Sequence, residues 1–373
     1  MKALFIGGTG TISTAISRRV LEMGWDLYLL NRGNRNSKLT EGDEAPFKTW
    51  DDYCGASVPG AKKGKLIEVA CDIRSESEAA VAAKVKALLK DGEKFDCVGE
   101  FIAFVPGEVE RDYRIFKDLT KQYFFISSAS GYQKPVGGLP ITESSIMANP
   151  YWKYSQDKIA CEDFLLGKYR SEGFPVTIIR PSHTYDERNA PMGMHSPAGS
   201  WGLLKRILEG KKVIIHGDGT SLWAVTTNRD FAKGFTGLMG NIHAVGETLH
   251  ITSDEIVTWN QIYASVACAL GKPLKAVHIS SEFLAAAGDP RGYNFTGALI
   301  GDKANSVIFD NSKLKRLVPG FRATIRFDQG IRETVAYMLS HKECQKEDHE
   351  FEAWYDKLID IYEKSLAEAG KIS

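Results

Sequence analysis

The feature that most constrains the fold is a glycine turn between a short apolar run and an amphipathic segment near the N-terminus. Residues 3–6 are apolar, Gly7 and Gly10 follow, and apolar residues then recur at helical spacing over residues 12–21. A second apolar run covers residues 27–30. This order of strand, glycine turn, helix and strand is the one that a dinucleotide-binding unit requires, because glycines let the backbone approach a pyrophosphate at the helix N-terminus. The alternative is a tight turn in another kind of parallel sheet.

The pattern of the whole chain predicts an α/β protein with two parts. Strands alternate with helices through residues 1–180, which predicts a doubly wound, Rossmann-like parallel sheet. After Pro181 a loop rich in glycine, proline, methionine and histidine interrupts this alternation, and shorter strands and helices follow. We therefore expect a dinucleotide-binding domain, to which a segment near residues 225–255 returns. Residues 181–373 are expected to form mainly a smaller, mixed α+β substrate-binding lobe that ends in a helix.

Composition excludes several classes of protein. Lys plus Arg and Asp plus Glu both total 47 in 373 residues, so no basic excess favours nucleic acid or a membrane surface. No apolar run is long enough to span a bilayer, and the first strand leaves no room for a signal peptide. The 6 cysteines form no Cys-x-x-Cys pair. We expect a cytoplasmic protein with reduced, buried thiols and no metal site.

Local signals predict the ends of individual elements. Ser75 and Glu78 form a capping-box pattern ahead of a helix, and Asn228 is placed to cap another helix. A fourth strand is expected over residues 95–104, and the charged segment up to about Gly64 is expected to be a long loop.

The C-terminal segment from Phe351 to Leu366 predicts a helix with one apolar stripe. The stripe consists of Trp354, Leu358, Ile361 and Tyr362. We expect it to pack on the second lobe of the same chain, and a partner-binding helix is the alternative.

Tyr154 and Lys158 stand four residues apart in a predicted helix, so their side chains share one helix face. An ammonium group beside a phenol favours the phenolate and lowers the phenol pKa. Such a tyrosine can exchange a proton with a substrate hydroxyl or carbonyl while hydride moves to or from a nicotinamide. The same spacing fits a solvated helix face, but its place after a glycine-turn nucleotide unit favours catalysis.

These motifs resemble the extended branch of the short-chain dehydrogenase/reductase superfamily, which comprises NAD(P)-dependent epimerases and dehydratases. The turn of that family reads Gly-x-x-Gly-x-x-Gly; Gly7 and Gly10 match it, and Ser13 stands at the third position. The catalytic Tyr-x-x-x-Lys motif of the family matches Tyr154 and Lys158. The resemblance covers most of the chain and is more specific for cofactor and catalysis than for substrate.

The resemblance implies a third catalytic residue, Ser128. In the extended branch a Ser or Thr lies four residues before an aromatic Tyr, and Ser128 stands at that distance from Tyr132. Its hydroxyl is expected to donate to the reacting oxygen. Dehydratases of the family carry an Asp-Glu pair directly after this residue, whereas Ala129 and Ser130 follow here, which argues against dehydration.

The resemblance also implies the cofactor contacts. An acidic residue at the end of the second strand binds the adenosine ribose hydroxyls of NAD. Asn31 and Arg32 occupy this place, so no carboxylate is present and a partner for a 2′-phosphate is available. NADP is therefore favoured, and NAD remains an alternative. The predicted cofactor-binding residues are Gly7, Gly10, Thr11, Ile12, Asn31, Arg32, Asp72, Ile73, Ala103, Lys158 and Pro181.

The substrate contacts are less specific. Nucleotide-sugar epimerases of the family bind the substrate diphosphate with an Asn near the place of His183 and with an Arg at the place of Trp223. A tryptophan cannot pair with a phosphate, and a histidine is mostly neutral at neutral pH. Arg229 or Arg291 can substitute for the missing Arg. The predicted substrate residues are His183, Trp223 and Arg229.

The first interpretation is an NAD(P)-dependent epimerase or oxidoreductase that transfers hydride reversibly at a hydroxyl or carbonyl of a sugar or nucleotide sugar. One alternative is a dehydrogenase or reductase of a nucleotide-free carbohydrate or another small carbonyl compound. Another is a non-catalytic RNA-binding relative, because some of these also read Asn-Arg-Gly at the end of the second strand. The three catalytic residues and the balanced charge favour an enzyme. By analogy, a homodimer through the helix before strand five and the Tyr154 helix is expected.

Overall fold

A seven-stranded parallel sheet forms the centre of the chain in the computed structural model, which describes residues 1–32 and 63–372. With strands numbered in chain order, the sheet contains β1 (Lys2–Ile6), β2 (Asp26–Asn31), β3 (Leu66–Ala70), β4 (Cys97–Glu100), β5 (Tyr123–Ile126), β6 (Val176–Pro181) and β11 (Thr248–Ile251). Their spatial order is β3-β2-β1-β4-β5-β6-β11, and every neighbouring pair is parallel. The chain adds strands in one direction from β1 to β3 and in the other direction from β4 onward. The order of the strands therefore switches between β1 and β4, and sheets of this kind bind ligands at that switch point.

Helices cover both faces of this sheet, as its apolar strands require. These helices are α1 (Ser13–Glu22), α2 (Glu78–Lys86), α3 (Pro106–Phe116), α4 (Lys153–Glu172) and α6 (Asn228–Leu238). On one face α1 packs against α6, and on the other face α2, α3 and α4 cover a separate apolar cluster. The predicted doubly wound α/β fold is confirmed.

Apart from the helix Ser312–Leu317, whose Leu314 belongs to the core between the large sheet, α1 and α6, the remaining elements share one large apolar core. The strands form three pairs and are β7 (His183–Tyr185) with β10 (Val225–Thr227), β8 (Val213–His216) with β13 (Ala276–Ile279), and β9 (Leu222–Trp223) with β12 (Val257–Thr258). The helices are α5 (Trp201–Leu208), α7 (Trp259–Ala269), α8 (Ser281–Gly288), a π-helix (Thr296–Lys303), α9 (Ser312–Leu317), α10 (Phe327–Ser340) and α11 (His349–Ala369). Within the same stretch, α6 and β11 return to the large sheet.

The fourth strand is shorter than predicted, because a carboxylate turns the chain out of the sheet. β4 ends at Glu100, whose side chain accepts hydrogen bonds from the backbone N–H groups of Ile102 and Ala103. These bonds replace the ladder that a longer strand would need. The turn leads into α3 and brings Phe104 to the edge of the sheet, where the predicted catalytic residues also lie.

Two predicted helix caps were wrong by one or two residues. Ser77, not Ser75, accepts a hydrogen bond from the N–H of Ala80 at the start of α2. Thr227, not Asn228, accepts one from Asp230 at the start of α6. In both cases the residue with extended backbone directly before the helix provides the cap, and the predicted residue lies outside that position. The sequence pattern alone does not fix a helix boundary to within one or two residues.

The C-terminal helix packs on the second part of the chain, as predicted. Its buried residues are Phe351, Tyr355, Leu358 and Ile359. Ile361, assigned to the stripe from sequence, is 54% exposed. The true face is therefore rotated from the predicted one. A hydrogen bond from the backbone N–H of Ile214 to the hydroxyl of Tyr355 joins the helix to β8.

The prediction of buried thiols holds for part of the described cysteines. Cys71, Cys97 and Cys161 are buried, whereas Cys268 is exposed on α7. Cys54 and the predicted loop up to about Gly64 fall almost entirely outside the described residues. Across residues 1–32 and 63–372, no helix is long and apolar enough to cross a membrane.

Candidate active site

The predicted catalytic residues Ser128, Tyr154 and Lys158 line one cavity of about 430 Å³. It lies at the carboxyl ends of β1, β4, β5 and β6, beside the reversal of strand order. Of the other predicted site residues, Thr11, Ile12, Pro181, His183 and Trp223 also line it.

The glycine turn after β1 packs tightly against the residues that follow β4. Gly7 has a φ of +81°, and a Cβ atom there would lie 2.4 Å from Cγ2 of Ile102. The Ser13 hydroxyl accepts a hydrogen bond from the N–H of Gly10 at 2.8 Å and donates one to the carbonyl of Gly7 at 2.7 Å. Serine at the third glycine position thus ties the turn together.

The first turn of α1 has backbone N–H groups, at the positive end of the helix dipole, that no side chain of the described residues caps. Ile12 makes no side-chain cap hydrogen bond, and the first turn contains no acidic residue. Uncapped N–H groups at a helix N-terminus bind anions. Thr11 and Ile12, at the start of this helix, line the cavity, so this end of it can hold the pyrophosphate of a dinucleotide.

Lys158 is held in the cavity wall by two backbone carbonyls. Its ammonium donates to the carbonyl oxygen of Ala103 at 2.7 Å and to that of Ile126 at 2.6 Å. The side chain is 2% exposed, and burial lowers the pKa of its ammonium from 10.5 to about 8. The ring of Phe104 lies 4.7 Å from Nζ. Lys158 therefore joins the ends of β4 and β5 and presents a fixed cation to the cavity.

The predicted lowering of the Tyr154 pKa was wrong. Burial raises the pKa of this phenol above 10, and its hydrogen bond with Ser128 opposes the rise only in part. Nζ of Lys158 lies 5.9 Å from the ring centroid of Tyr154 and is committed to the two carbonyls. Desolvation therefore outweighs the ammonium, and the tyrosine is a protonated phenol at neutral pH.

A chain of three hydroxyl groups fixes the direction of the Ser128 hydroxyl. Ser155 lies 2.7 Å from Ser130, and Ser130 lies 2.8 Å from Ser128, measured between the Oγ atoms. The Ser155 side chain is fully buried, and within the described residues the acceptor in reach of its O–H is Ser130. Ser155 accepts a hydrogen bond from Nδ2 of Asn149 at 3.4 Å and can donate its own proton to Ser130. Ser130 can then donate to Ser128, which leaves the Ser128 proton for the cavity and Tyr154.

A buried ion pair supports the strand ends beneath these hydroxyls. Arg180 donates to Glu162 on α4 through Nε at 3.0 Å and to the Tyr132 hydroxyl through Nη1 at 2.8 Å. Ser127 donates to the same Glu162 carboxylate. The ends of β5 and β6 are therefore tied to α4, the helix that carries Tyr154 and Lys158.

The predicted adenosine contacts lie along the same sheet edge, beyond the cavity. Asn31 ends β2 in register with Ala70 of β3, and Arg32 is exposed directly after it. A hydrogen bond from the backbone of Arg74, with a smaller effect of the Arg32 charge, lowers the pKa of Asp72. Arg32 and Asp72 are therefore neighbours.

Ile73 and Ala103 are buried at this edge. The carbonyl of Ile73 accepts a hydrogen bond from Arg111 at 2.8 Å. Ala103 bridges Glu100 and Lys158, because its N–H donates to the former and its carbonyl accepts from the latter.

The predicted substrate residues separate into two groups. His183 and Trp223 stand together with ring centroids 6.1 Å apart. Burial lowers the pKa of His183 to about 3, so this imidazole is neutral. The indole N–H of Trp223 donates to the carbonyl of Lys303 at 3.1 Å, and its ring, 3% exposed, borders the cavity.

Arg229 and Arg291 lie outside the cavity. Arg229 pairs with Glu333 in a separate depression, and Arg291 pairs with Glu350 at 2.6 Å. The structure does not bring either guanidinium to the residues that line the cavity, because Arg229, in the first turn of α6, pairs with α10, and Arg291, in the turn after α8, pairs with α11.

The structure adds Asp302, Phe104 and Trp152 to the cavity wall. Within the described lining, the charged side chains are those of Lys158 and Asp302. Asp302 comes from the π-helix, in a stretch whose sequence predicted only short strands and turns. The sequence carries no motif that could have identified it.

Comparisons with known proteins agree with this geometry. The model of the NAD dependent epimerase/dehydratase family matches residues 3–251. A 2'-dehydrokanamycin reductase of Streptomyces kanamyceticus is 22% identical over 324 residues, which cover 86% of this chain and 80% of that protein. A chloroplast stem-loop binding protein of Arabidopsis thaliana is 26% identical over 272 residues, 73% of this chain and 64% of that protein.

A solved structure shares the fold. The UDP-glucuronic acid 4-epimerase of Bacillus cereus in complex with NAD superposes with a TM-score of 0.63 at 17% identity, over 93% of this chain and 100% of that one. At this identity the likeness supports the architecture alone.

Proposed function

Because the chain belongs to the NAD dependent epimerase/dehydratase family and is an enzyme of that family, we propose that it transfers hydride reversibly between NAD(P) and a carbon of a nucleotide-free sugar ring. One observation carries the choice of substrate: the cavity beside Tyr154 presents one lysine and one aspartate, and within the described lining no arginine.

A sugar diphosphate needs charged donors that this cavity does not offer. Diphosphates are bound by arginine forks and convergent N–H groups. At the two aligned places, His183 is neutral and the indole N–H of Trp223 is used by Lys303. An aromatic face beside polar groups suits the apolar side of a sugar ring, as in other small-molecule sites. A nucleotide-free sugar ring therefore finds more partners among the residues that line the cavity than the diphosphate of a nucleotide sugar does.

Each catalytic side chain has one role in this proposal. The nicotinamide, when bound, accepts or supplies the hydride. Tyr154, protonated at neutral pH, donates its proton to the carbonyl oxygen during reduction and takes one from the hydroxyl during oxidation. The outward O–H of Ser128 donates to the same oxygen. Lys158 holds Ala103 and Ile126 in place and offers its remaining N–H to the ribose of the cofactor.

Tyr154 is protonated at neutral pH, because burial raises the pKa of its phenol. This is the form that donates a proton in carbonyl reduction, and the phenolate left behind takes the proton back in the reverse reaction. The relative from Streptomyces kanamyceticus is named a reductase, which agrees with carbonyl reduction.

NADP is the cofactor that we propose. β2 ends in Asn31 without a carboxylate, and Arg32 is exposed beside the place of an adenosine ribose. A 2′-phosphate would gain the guanidinium as a partner. The neighbouring Asp72 reduces this gain, so we expect a moderate preference over NAD.

Epimerisation of a nucleotide sugar is the second candidate, favoured by the shared architecture with the UDP-glucuronic acid 4-epimerase. RNA binding is suggested by the name of the stem-loop binding relative. The assembled Ser128, Tyr154 and Lys158 favour catalysis over such a binding role.

The test is a turnover screen with NADPH and NADH against keto-sugars, glycosides and UDP-, dTDP- and GDP-sugars. It follows nicotinamide absorbance and product configuration, with Tyr154→Phe as the inactive control. We expect hydride transfer with nucleotide-free sugars and NADPH. Conversion of nucleotide sugars alone, or micromolar binding of UDP, dTDP or GDP to the NADP-loaded protein, contradicts the proposal. Retention on RNA that weakens steeply with salt would support the binding role instead.

A further inference from the structure

Asp302 enters the wall of the active-site cavity from a part of the chain far from the catalytic residues. It lies near the end of the π-helix Thr296–Lys303, a rare conformation that is often found at functional sites. Neither the glycine turn nor the Tyr-x-x-x-Lys motif involves this segment.

The π-helix is fixed against the chain that leads into α4. A Cβ atom at Gly297 would lie 2.4 Å from Cδ1 of Trp152, and one at Gly301 would lie 2.8 Å from Cβ of Tyr151. Only glycine permits this close approach. Nδ2 of Asn149 also donates to the carbonyl of Gly301 at 2.7 Å. Asp302 is therefore held in a fixed position relative to Tyr154, which lies in the first turn of α4.

The carboxylate of Asp302 keeps acceptor capacity for a ligand. Its ion-pair partner Lys134 stands at 3.7 Å, beyond hydrogen-bond range, and the Lys134 side chain is 1% exposed. Burial raises the pKa of Asp302, and the charges of Lys134 and Lys303 oppose this rise. Asp302 lines the cavity together with Tyr154, whereas neither lysine does.

We propose that Asp302 is a specificity-determining residue whose carboxylate accepts hydrogen bonds from non-reacting hydroxyl groups of a neutral sugar ring. This inference rests on the proposed function and names the substrate class of the same site. A sugar ring that contacts Trp223 and places its reacting oxygen at Tyr154 has other hydroxyl groups. These can reach the part of the cavity wall that Asp302 forms. The positive charges of Lys134 and Lys303 partly offset the charge of Asp302, so an ammonium group gains little. A phosphate would face a carboxylate.

The test measures turnover and calorimetric binding with NADP-loaded protein and Asp302→Asn. The probes are methyl α-D-glucopyranoside, methyl α-D-galactopyranoside and methyl α-D-mannopyranoside, their monodeoxy analogues, and D-glucosamine. We expect Asp302→Asn to raise KM and Kd for the turned-over glycoside about ten- to a hundredfold, the usual effect of a hydrogen bond to a charged group. The kcat and the Kd for NADP should change less than about twofold. Asp360→Asn, an exposed carboxylate on α11, is the matched control and should behave like the unmutated chain.

The deoxy analogues separate recognition from general damage to the site. In the unmutated chain, removal of the contacted hydroxyl should cost at least the factor that Asp302→Asn costs. In Asp302→Asn the same removal should cost much less, because the amide forms only the weaker, neutral hydrogen bond to that hydroxyl. Asp302→Glu, which keeps the charge on a longer side chain, should give an intermediate KM and covers the case in which Asp302→Asn does not fold.

Three results overturn the inference in distinguishable ways. Turnover of a glycoside with unchanged KM in Asp302→Asn refutes the role of Asp302 and leaves the proposed function intact. No hydride transfer with any of the three glycosides in the unmutated chain, but turnover of nucleotide sugars, refutes both. A loss confined to D-glucosamine shows that the carboxylate recognises an ammonium group and also refutes the inference.

Discussion

The buried ammonium of Lys158 is expected to lower the unfolding free energy of the protein at neutral pH. Burial lowers the pKa of its ammonium from 10.5 to about 8, a change of about 2.5 units. At 1.36 kcal/mol per unit, the buried charge costs about 3 kcal/mol at pH 7. Lys158→Met removes the charge and leaves the carbonyls of Ala103 and Ile126 without their donor, at about 1 kcal/mol each. We expect the cofactor-free variant to be about 1 kcal/mol more stable at pH 7.

The sign of this difference should reverse with pH. Between about pH 8 and 10.5 the unfolded chain holds the Lys158 proton and the folded chain does not, so the stability of the unmutated chain rises with pH. The stability of the Lys158→Met variant lacks this dependence on pH, because methionine does not titrate. Above this window the unmutated chain should therefore be the more stable of the two, by about 2 kcal/mol, because only the lost hydrogen bonds remain.

Equilibrium unfolding in urea at intervals from pH 7 to 10 checks this reasoning. The quantity to follow is the difference in unfolding free energy between the two proteins, since other titrating groups cancel in it. A difference that stays constant across this range, or a variant that is less stable at pH 7, would refute the account of Lys158 as a desolvated cation. Loss of NADPH affinity in the variant would show what the charge is retained for.

Three further substitutions test the remaining assignments. Tyr154→Phe should lower turnover about 10²- to 10⁴-fold with unchanged NADPH affinity, because the phenol transfers the proton and only borders the cofactor; Tyr169→Phe on the same helix is the control. Arg32→Ala should reduce the preference for NADP over NAD by about ten- to a hundredfold in titrations, with Arg170→Ala as control. Ser155→Ala should lower kcat about fivefold without changing the Kd for NADPH, because Ser130 then loses the donor that directs the Ser128 proton to the substrate; Ser171→Ala is its control.

Each of these has a contradicting outcome. Near-normal rates in Tyr154→Phe would remove this residue from the chemistry. Equal or tighter binding of NAD than of NADP by the unmutated chain would show that Arg32 does not meet a 2′-phosphate. A Ser155→Ala variant with normal kcat would show that the hydroxyl chain does not orient Ser128.

The sequence by itself determined the sheet and predicted the catalytic pair. Both signals are local in the chain: Gly7 and Gly10 act on the strand and helix beside them, and Tyr154 and Lys158 share a helix face through their spacing. Ser128 was implied by the resemblance to the extended short-chain family. Such signals survive in sequence because the residues that interact are close together in it.

The tertiary structure decided the charge states and the substrate side. The pKa of Tyr154 depends on how deeply the phenol is buried and on where Nζ of Lys158 finds its partners, which the four-residue spacing does not encode. Asp302 reaches the cavity through contacts between the π-helix and residues about 150 positions earlier, such as Asn149. Desolvation and long-range packing are properties of the assembled fold, so no local pattern in the sequence reveals them.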